Sequence, residues 1–132
     1  MNRLVIGLVL MSFLAGCGSI GNLGSAADRL DRTTHRFYER VDTVPAASHA
    51  ATDAEMLARA ARDFNRAVDS SRSRDYLEPS FERVAERYHH LRRQLEDGTG
   101  YDHYLRADFD SVTEAYLDVD RALNHPDSRY HR

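Results

Sequence analysis

The chain has 132 residues, a formal net charge of −3 at pH 7 and a single cysteine. This length suits one domain with its own hydrophobic core, and a lone cysteine excludes a disulfide within the chain. The mild acidity argues against a nucleic-acid-binding protein, which would carry a clustered basic excess.

The first predicted element is an apolar segment near the start of the chain. Arg3 precedes residues 4–16, an apolar run of about 13 residues, whereas a helix that crosses a bilayer needs about 20. One cationic flank and small residues at the end of the run are typical of a secretory signal. We therefore interpret residues 1–16 as a cleaved signal peptide and not as a membrane span.

The four residues Leu14-Ala15-Gly16-Cys17 resemble the bacterial lipobox, the pattern found in lipoprotein precursors. The resemblance implies cleavage before Cys17 and attachment of lipid to the Cys17 sulfur, so that membrane lipid would be the first partner of the chain. Gly18 and Ser19 follow where aspartate would favour inner-membrane retention, so the resemblance implies an outer-membrane anchor facing the periplasm. An ordinary secretory signal that contains a cysteine is the alternative.

The mature chain is predicted to begin with a flexible tether, residues 17–27, because this stretch is rich in glycine and serine and almost uncharged. A helical domain is predicted over residues 28–124 and a polar tail over residues 125–132. The first helix is expected over about residues 25–43, because mostly apolar side chains recur there and just beyond at steps of three and four residues, which puts them on one face. These are Leu30, Thr34, Phe37, Val41 and Val44.

The next two helices are predicted from their first-turn signals. Thr52-Asp53-Ala54-Glu55 is a capping-box pattern that marks the start of a second helix, which ends near Ser71. Pro79 favours a third helix that begins at Glu78 or Pro79, because proline is tolerated in the first helical turn. The core positions expected in these helices are Met56, Leu57, Ala60, Ala61, Phe64, Ala67, Val68, Phe81, Val84, Ala85, Tyr88, Leu91 and Leu95.

A fourth helix follows the Thr99-Gly100 turn and ends at Asn124. Its expected core positions are Tyr101, Leu105, Phe109, Val112, Tyr116, Val119 and Leu123. Four amphipathic helices with short connections predict an all-α fold, an antiparallel up-down four-helix bundle. The short turn should hold the third and fourth helices as a hairpin. The alternative is that the first two helices are mobile or pack only in an oligomer.

An acidic stripe on the fourth helix is the main candidate for partner binding. Asp110, Glu114 and Asp118 recur at four-residue steps, so their like charges repel one another on one face. We expect arginines of an adjacent helix to pair with them, with Arg59, Arg62 and Arg66 as candidates. A basic protein partner is the second interpretation and a divalent cation is the third. Tyr104 and Tyr38 lie beside the apolar stripes and could add aromatic contacts to an interface.

No metal or cofactor site is predicted. Glu86 and His89 match Glu-x-x-His, which is only half of the pattern of a di-metal bundle, and no second copy occurs. Haem would need an axial pair such as methionine and histidine on facing helices. Met56 lies on the expected core face, but no histidine clearly opposes it. We therefore expect the histidines to be solvated.

No nucleophile–base pair, phosphate loop or metalloprotease motif occurs, so enzymatic activity is not expected. The sequence favours a non-enzymatic lipoprotein that acts as an interaction or structural module and binds another protein of the cell envelope. One alternative is a metal- or haem-binding bundle. Another is an immunity or inhibitor lipoprotein that uses its acidic face.

Overall fold

The structure is a computed structural model that describes residues 18–71, 73–97 and 102–124. Over these ranges the regular structure is entirely helical. The helices are α1 (Gly18–Asp42), α2 (Ser48–Ser70), α3 (Arg74–Asp97) and α4 (Asp102–Asn124), and a single 3-10 turn (Pro45–Ala47) links α1 to α2. The prediction of an all-α fold with four helices is confirmed.

The four helices form an antiparallel bundle with the cyclic order α1, α2, α3, α4. Helix α1 packs against both α2 and α4, while α2 also packs against α3, so α2 and α4 are diagonal to each other. Two ion pairs show that α1 and α4 run antiparallel. Arg29, early in α1, contacts Asp118, late in α4, whereas Arg40, late in α1, contacts Asp108, early in α4. Helices α1 and α2 pack against each other and against the other two helices within one chain, which contradicts the alternative that they pack only in an oligomer.

The core is built from the apolar stripes that the three- and four-residue spacing predicts. Each helix contributes side chains that are almost fully enclosed, among them Leu30, Val41, Leu57, Phe64, Val84, Leu91, Val112 and Val119. Met56 is an exception to the prediction, since 42% of it is exposed. Ala54, Ala58 and Ala61 line the buried face of α2 instead, and these small side chains let the neighbouring backbones approach closely.

The prediction of a flexible tether is wrong over residues 18–27, which form the first part of α1. The reason is an apolar spacing that the glycines and serines obscure. Leu23 packs against the core, Ala27 and Leu30 are fully buried, and the three positions share one helix face. Burial therefore offsets the cost of glycine in a helix, about 1 kcal/mol per residue. Cys17 lies outside the described residues.

Two predicted helix starts are also wrong. Helix α2 begins at Ser48, before the expected capping box, and the Glu55 carboxylate accepts a hydrogen bond from Arg59. Helix α3 begins at Arg74, and the backbone carbonyl of Ser73 accepts hydrogen bonds from the first turn. Pro79 therefore lies inside α3. Its missing N–H costs only one helical hydrogen bond on an exposed face.

Helices α3 and α4 are neighbours, as the predicted hairpin requires. Their backbones are nevertheless farther apart than those of the other neighbouring pairs, because aromatic rings fill the space between them. The hairpin is therefore not the closest-packed part of the bundle. The Thr99-Gly100 turn, Tyr101 and the polar tail of residues 125–132 lie outside the described residues.

Candidate functional site

A column of aromatic rings runs through the bundle and links all four helices. Successive ring centroids lie 4.1–5.5 Å apart, a separation at which aromatic pairs attract one another. In order, the rings belong to Phe64, Phe81, Tyr116, Tyr88, Phe109 and Phe37. The column is part of the core and not a surface for recognition, because each of its rings is buried.

The centre of this aromatic column is the stacked pair Tyr88 and Tyr116, whose centroids are 4.1 Å apart with an interplanar angle of 10°. The Tyr88 hydroxyl donates a hydrogen bond of 3.0 Å to Thr113 Oγ1. Burial raises the pKa of Tyr116, and the charge of Asp120 and the neighbouring Tyr88 raise it further. The prediction that these two tyrosines pack in the core is confirmed.

The acidic stripe of α4 pairs with an arginine of a neighbouring helix, as expected, but the arginine is a different one. Arg29 of α1 contacts Glu114 at 3.2 Å and Asp118 at 2.5 Å. Arg121 adds a contact to Asp118 at 2.6 Å. Asp110 is exposed and has no ion-pair partner among the described residues.

The three arginines that were candidates for this pairing, Arg59, Arg62 and Arg66, belong to α2. They do not reach the stripe because α2 is diagonal to α4. Arg62 lies 3.8 Å from Asp31 of α1, and Arg59 pairs with Glu55 of its own helix. The prediction of α2 as the source of the arginine is therefore wrong.

A second ion pair joins α1 to α4 nearer the other end. Arg40 Nε lies 2.7 Å from Asp108 Oδ2. That oxygen is buried and accepts no well-aligned hydrogen bond. The contact is therefore a close charge pair in which the guanidinium N–H does not point at the carboxylate.

The two tyrosines that were interface candidates have different outcomes. The side chain of Tyr104 lies outside the described part of the structure, although its backbone belongs to α4. Tyr38 is half-buried and lines a groove of about 290 Å³ with Asp42 and Glu55, where α1 connects to α2. The negative charge of Asp42 raises the pKa of Tyr38, and burial and Glu55 raise it further.

The residues considered for metal or haem binding do not form a common site. Glu86 and His89 are both exposed, and His89 packs edge-on to the Tyr88 ring. Within the described ranges, no group of three histidine, cysteine, aspartate or glutamate side chains is placed to hold a metal ion. Met56 lies outside the core, so the expected axial position for haem on α2 is not an inward one.

A larger groove, which no sequence pattern predicted, lies between the end of α2 and the start of α3. Its volume is about 350 Å³. The polar groups that line it come from Asp63, Arg66, Ser70, Tyr76, Ser80 and Arg83. The signal that could have indicated it is the serine- and arginine-rich stretch of residues 70–74, with a tyrosine two residues later.

Comparison of the chain with protein-family models, with curated proteins and with solved structures gave no match. In the part of the chain that the structure describes, no helix has the length and apolar character needed to cross a membrane.

Proposed function

We propose that this chain is a lipid-anchored protein of the bacterial cell envelope, attached through Cys17 to the periplasmic face of the outer membrane. The helical bundle would act there as a non-enzymatic interaction or structural module for another envelope protein. The observation that carries the proposal is the Leu14-Ala15-Gly16-Cys17 pattern, placed directly after an apolar run of signal-peptide length.

The fold gives this anchor a mechanical consequence. Helix α1 begins at Gly18, the residue after Cys17, and continues for 25 residues through the bundle. At about 1.5 Å per residue it is about 37 Å long. A lipid on Cys17 would therefore be joined directly to a packed helix, and the protein would be held near the bilayer at one end.

The exposed part of α4 is our candidate surface for the protein partner. Asp110 has no ion-pair partner among the described residues, and Glu114 is shared with Arg29. A basic partner would thus meet one unneutralised carboxylate and one that Arg29 already contacts. The inhibitor alternative, which needs a strongly acidic face, has less support because Asp118 is paired with both Arg29 and Arg121.

The anchor is tested by labelling a bacterial host with radioactive palmitate and separating its membranes. We expect the chain to carry label and to sediment with the membranes, while Cys17→Ser carries none. A control version, in which an ordinary secretory signal replaces residues 1–17, should be soluble in the periplasm and retain its helical circular dichroism spectrum. Membrane retention of this control, or an unlabelled wild-type chain, would contradict the proposal.

The partner surface is tested by capture from detergent-solubilised membranes. We expect one envelope protein at stoichiometric amounts, and weaker capture by Asp110→Asn combined with Glu114→Gln. Glu82→Gln is the matched control, since Glu82 is an exposed acid on α3 without an ion-pair partner among the described residues. An equal loss of capture in both variants would contradict the assignment of the surface to α4.

A further inference from the structure

The groove between α2 and α3 has the composition of an anion site. Arg66 and Arg83 both line it, and neither guanidinium has an ion-pair partner among the described residues. Asp63 is the only acid in the lining, so the groove carries an excess of positive charge. Arginine binds phosphate oxygens through a planar array of N–H donors, which makes an unpaired pair of arginines suited to a phosphate group.

The hydroxyl of Ser80 is a further polar group in the groove. Ser80 also lines the groove, and only 7% of it is exposed. Its hydroxyl has no hydrogen-bond partner among the described residues, whereas the hydroxyl of Ser70 on the same groove bonds back to the Arg66 carbonyl. The Ser80 hydroxyl makes no hydrogen bond to another described residue, so it is available to bond an oxygen of a ligand in the groove.

The position of the groove in the bundle identifies the source of the anion. The groove lies at the end of the bundle where α1 begins, because α2 runs antiparallel to α1. Asp31 lies opposite Arg62, so Ser70 is near the level of Leu23. Gly18, the first residue of α1, lies about five residues beyond that level, which is about 8 Å along the helix axis. This distance is comparable to the thickness of one headgroup layer, about 5–8 Å.

Tyr76 at the rim of the groove fits the same environment. It is 59% exposed, more than the other exposed large apolar side chains among the described residues, Met56 and Leu117. Tyrosine is favoured where an apolar ring meets a polar boundary, as at the surface of a membrane. The ring therefore lies beside the two arginines on the face that would be nearest the bilayer.

We infer that this groove, defined by Arg66, Arg83, Ser80 and Tyr76, binds the phosphate headgroup of an anionic phospholipid in the membrane that carries the Cys17 anchor. The inference rests on the proposed function, because the anchor determines which end of the bundle faces the lipid. Headgroup binding would fix the orientation of the bundle, so that α1 stands away from the bilayer and the α1–α2 connection lies at the far end.

The test uses the absence of tryptophan from the chain. Tyr76→Trp places a single fluorophore at the groove, and Tyr38→Trp places one at the opposite end as a control. The mature lipidated proteins are reconstituted into vesicles of phosphatidylcholine alone or of phosphatidylcholine mixed with phosphatidylglycerol. In both types of vesicle the acyl chains of the phosphatidylcholine are brominated near the glycerol. Flotation reports anchoring, and bromine quenching reports contact with lipid.

We expect every variant to float with the vesicles. The indole of Tyr76→Trp, but not that of Tyr38→Trp, should be quenched more strongly when phosphatidylglycerol is present. Adding Arg66→Gln and Arg83→Gln should lower the ratio of quenched to unquenched molecules about fivefold for each arginine. Arg36→Gln with Arg93→Gln is the matched control, because both are exposed arginines without partners among the described residues. About 1 M salt should abolish the difference.

The outcomes separate the inference from the proposed function. A Tyr76→Trp protein that floats without quenching would overturn headgroup binding and leave the anchor intact, whereas failure to float would overturn the anchor. Quenching that is insensitive to phosphatidylglycerol or to the two arginine substitutions would show that position 76 is merely close to lipid, and would overturn the site. An equal spectral change with inorganic phosphate in detergent would assign the groove to a free anion and overturn the lipid source.

Discussion

Replacing Tyr88 with alanine is expected to destabilise the bundle strongly. Only 2% of Tyr88 is exposed, its ring stacks on Tyr116 and Phe109, and its hydroxyl bonds Thr113. Removing a buried aromatic side chain costs about 3–5 kcal/mol. Because a domain of this size is stable by only about 5–15 kcal/mol, Tyr88→Ala should lose a large fraction of the free energy of unfolding.

The loss can be divided between the ring and the hydroxyl. Tyr88→Phe keeps the ring and removes the hydrogen bond to Thr113, so we expect a cost of about 1 kcal/mol. Thr113→Val and the double variant complete a mutant cycle, in which the two single losses should not add. Additive losses would mean that the 3.0 Å contact contributes nothing to stability.

The assay is urea unfolding followed by circular dichroism, with free energies from linear extrapolation. Tyr76→Ala is the matched control, since Tyr76 lies on the same helix but is 59% exposed. We expect this control to change stability by less than about 0.5 kcal/mol. If Tyr88→Ala lost no more than Tyr76→Ala, the aromatic column would not be the centre of the core.

Three further predictions concern α1 and the pKa of a buried tyrosine. Gly24→Ala should raise stability by about 1 kcal/mol in the same urea assay, because a Cβ at this helical position meets no atom within 4 Å; a lower stability would show that the helix needs glycine there. Arg29→Gln should cost at most about 1 kcal/mol, and the loss should shrink at high salt, because its ion pairs are partly exposed. Arg36→Gln is the control, because Arg36 has no partner among the described residues, and it should leave the free energy of unfolding unchanged. An equal loss of stability in both variants would refute the role of the Arg29 ion pairs. Since the pKa of Tyr116 is raised above its ordinary value of 10.0, stability should be retained below about pH 10 and fall as the pH rises further; an unchanged pH profile in Tyr116→Phe would contradict this.

The number of helices and most of their buried faces could be predicted from the sequence. Apolar residues at steps of three and four, such as Leu30, Phe37 and Val41, share one helix face, and that face is buried in the bundle. Helix boundaries were less accurate. Burial of Ala27 extended α1 into a stretch with glycines, and the first turn of α3 formed ahead of Pro79.

The partners of the charged residues could not be predicted, because they depend on which helices are neighbours. The acidic stripe was identified from spacing within one helix, but Arg29 pairs with it only because α1 is adjacent to α4. The groove between α2 and α3 was missed for the same reason. Ser80 and Arg83 are three residues apart on α3, but Arg66 belongs to α2, and only the packing of α2 on α3 brings it to them.

Intact mass spectrometry of the mature protein shows directly whether Cys17 is its lipidated amino terminus. The full-length chain is expressed in a bacterium, extracted from its membranes in detergent and analysed by intact mass spectrometry, with fragmentation of the amino terminus. We expect a chain that begins at Cys17 and carries a diacylglyceryl group on that residue, with additional acylation of its amino group. A chain that begins at another residue, or a Cys17 without lipid, would contradict this expectation.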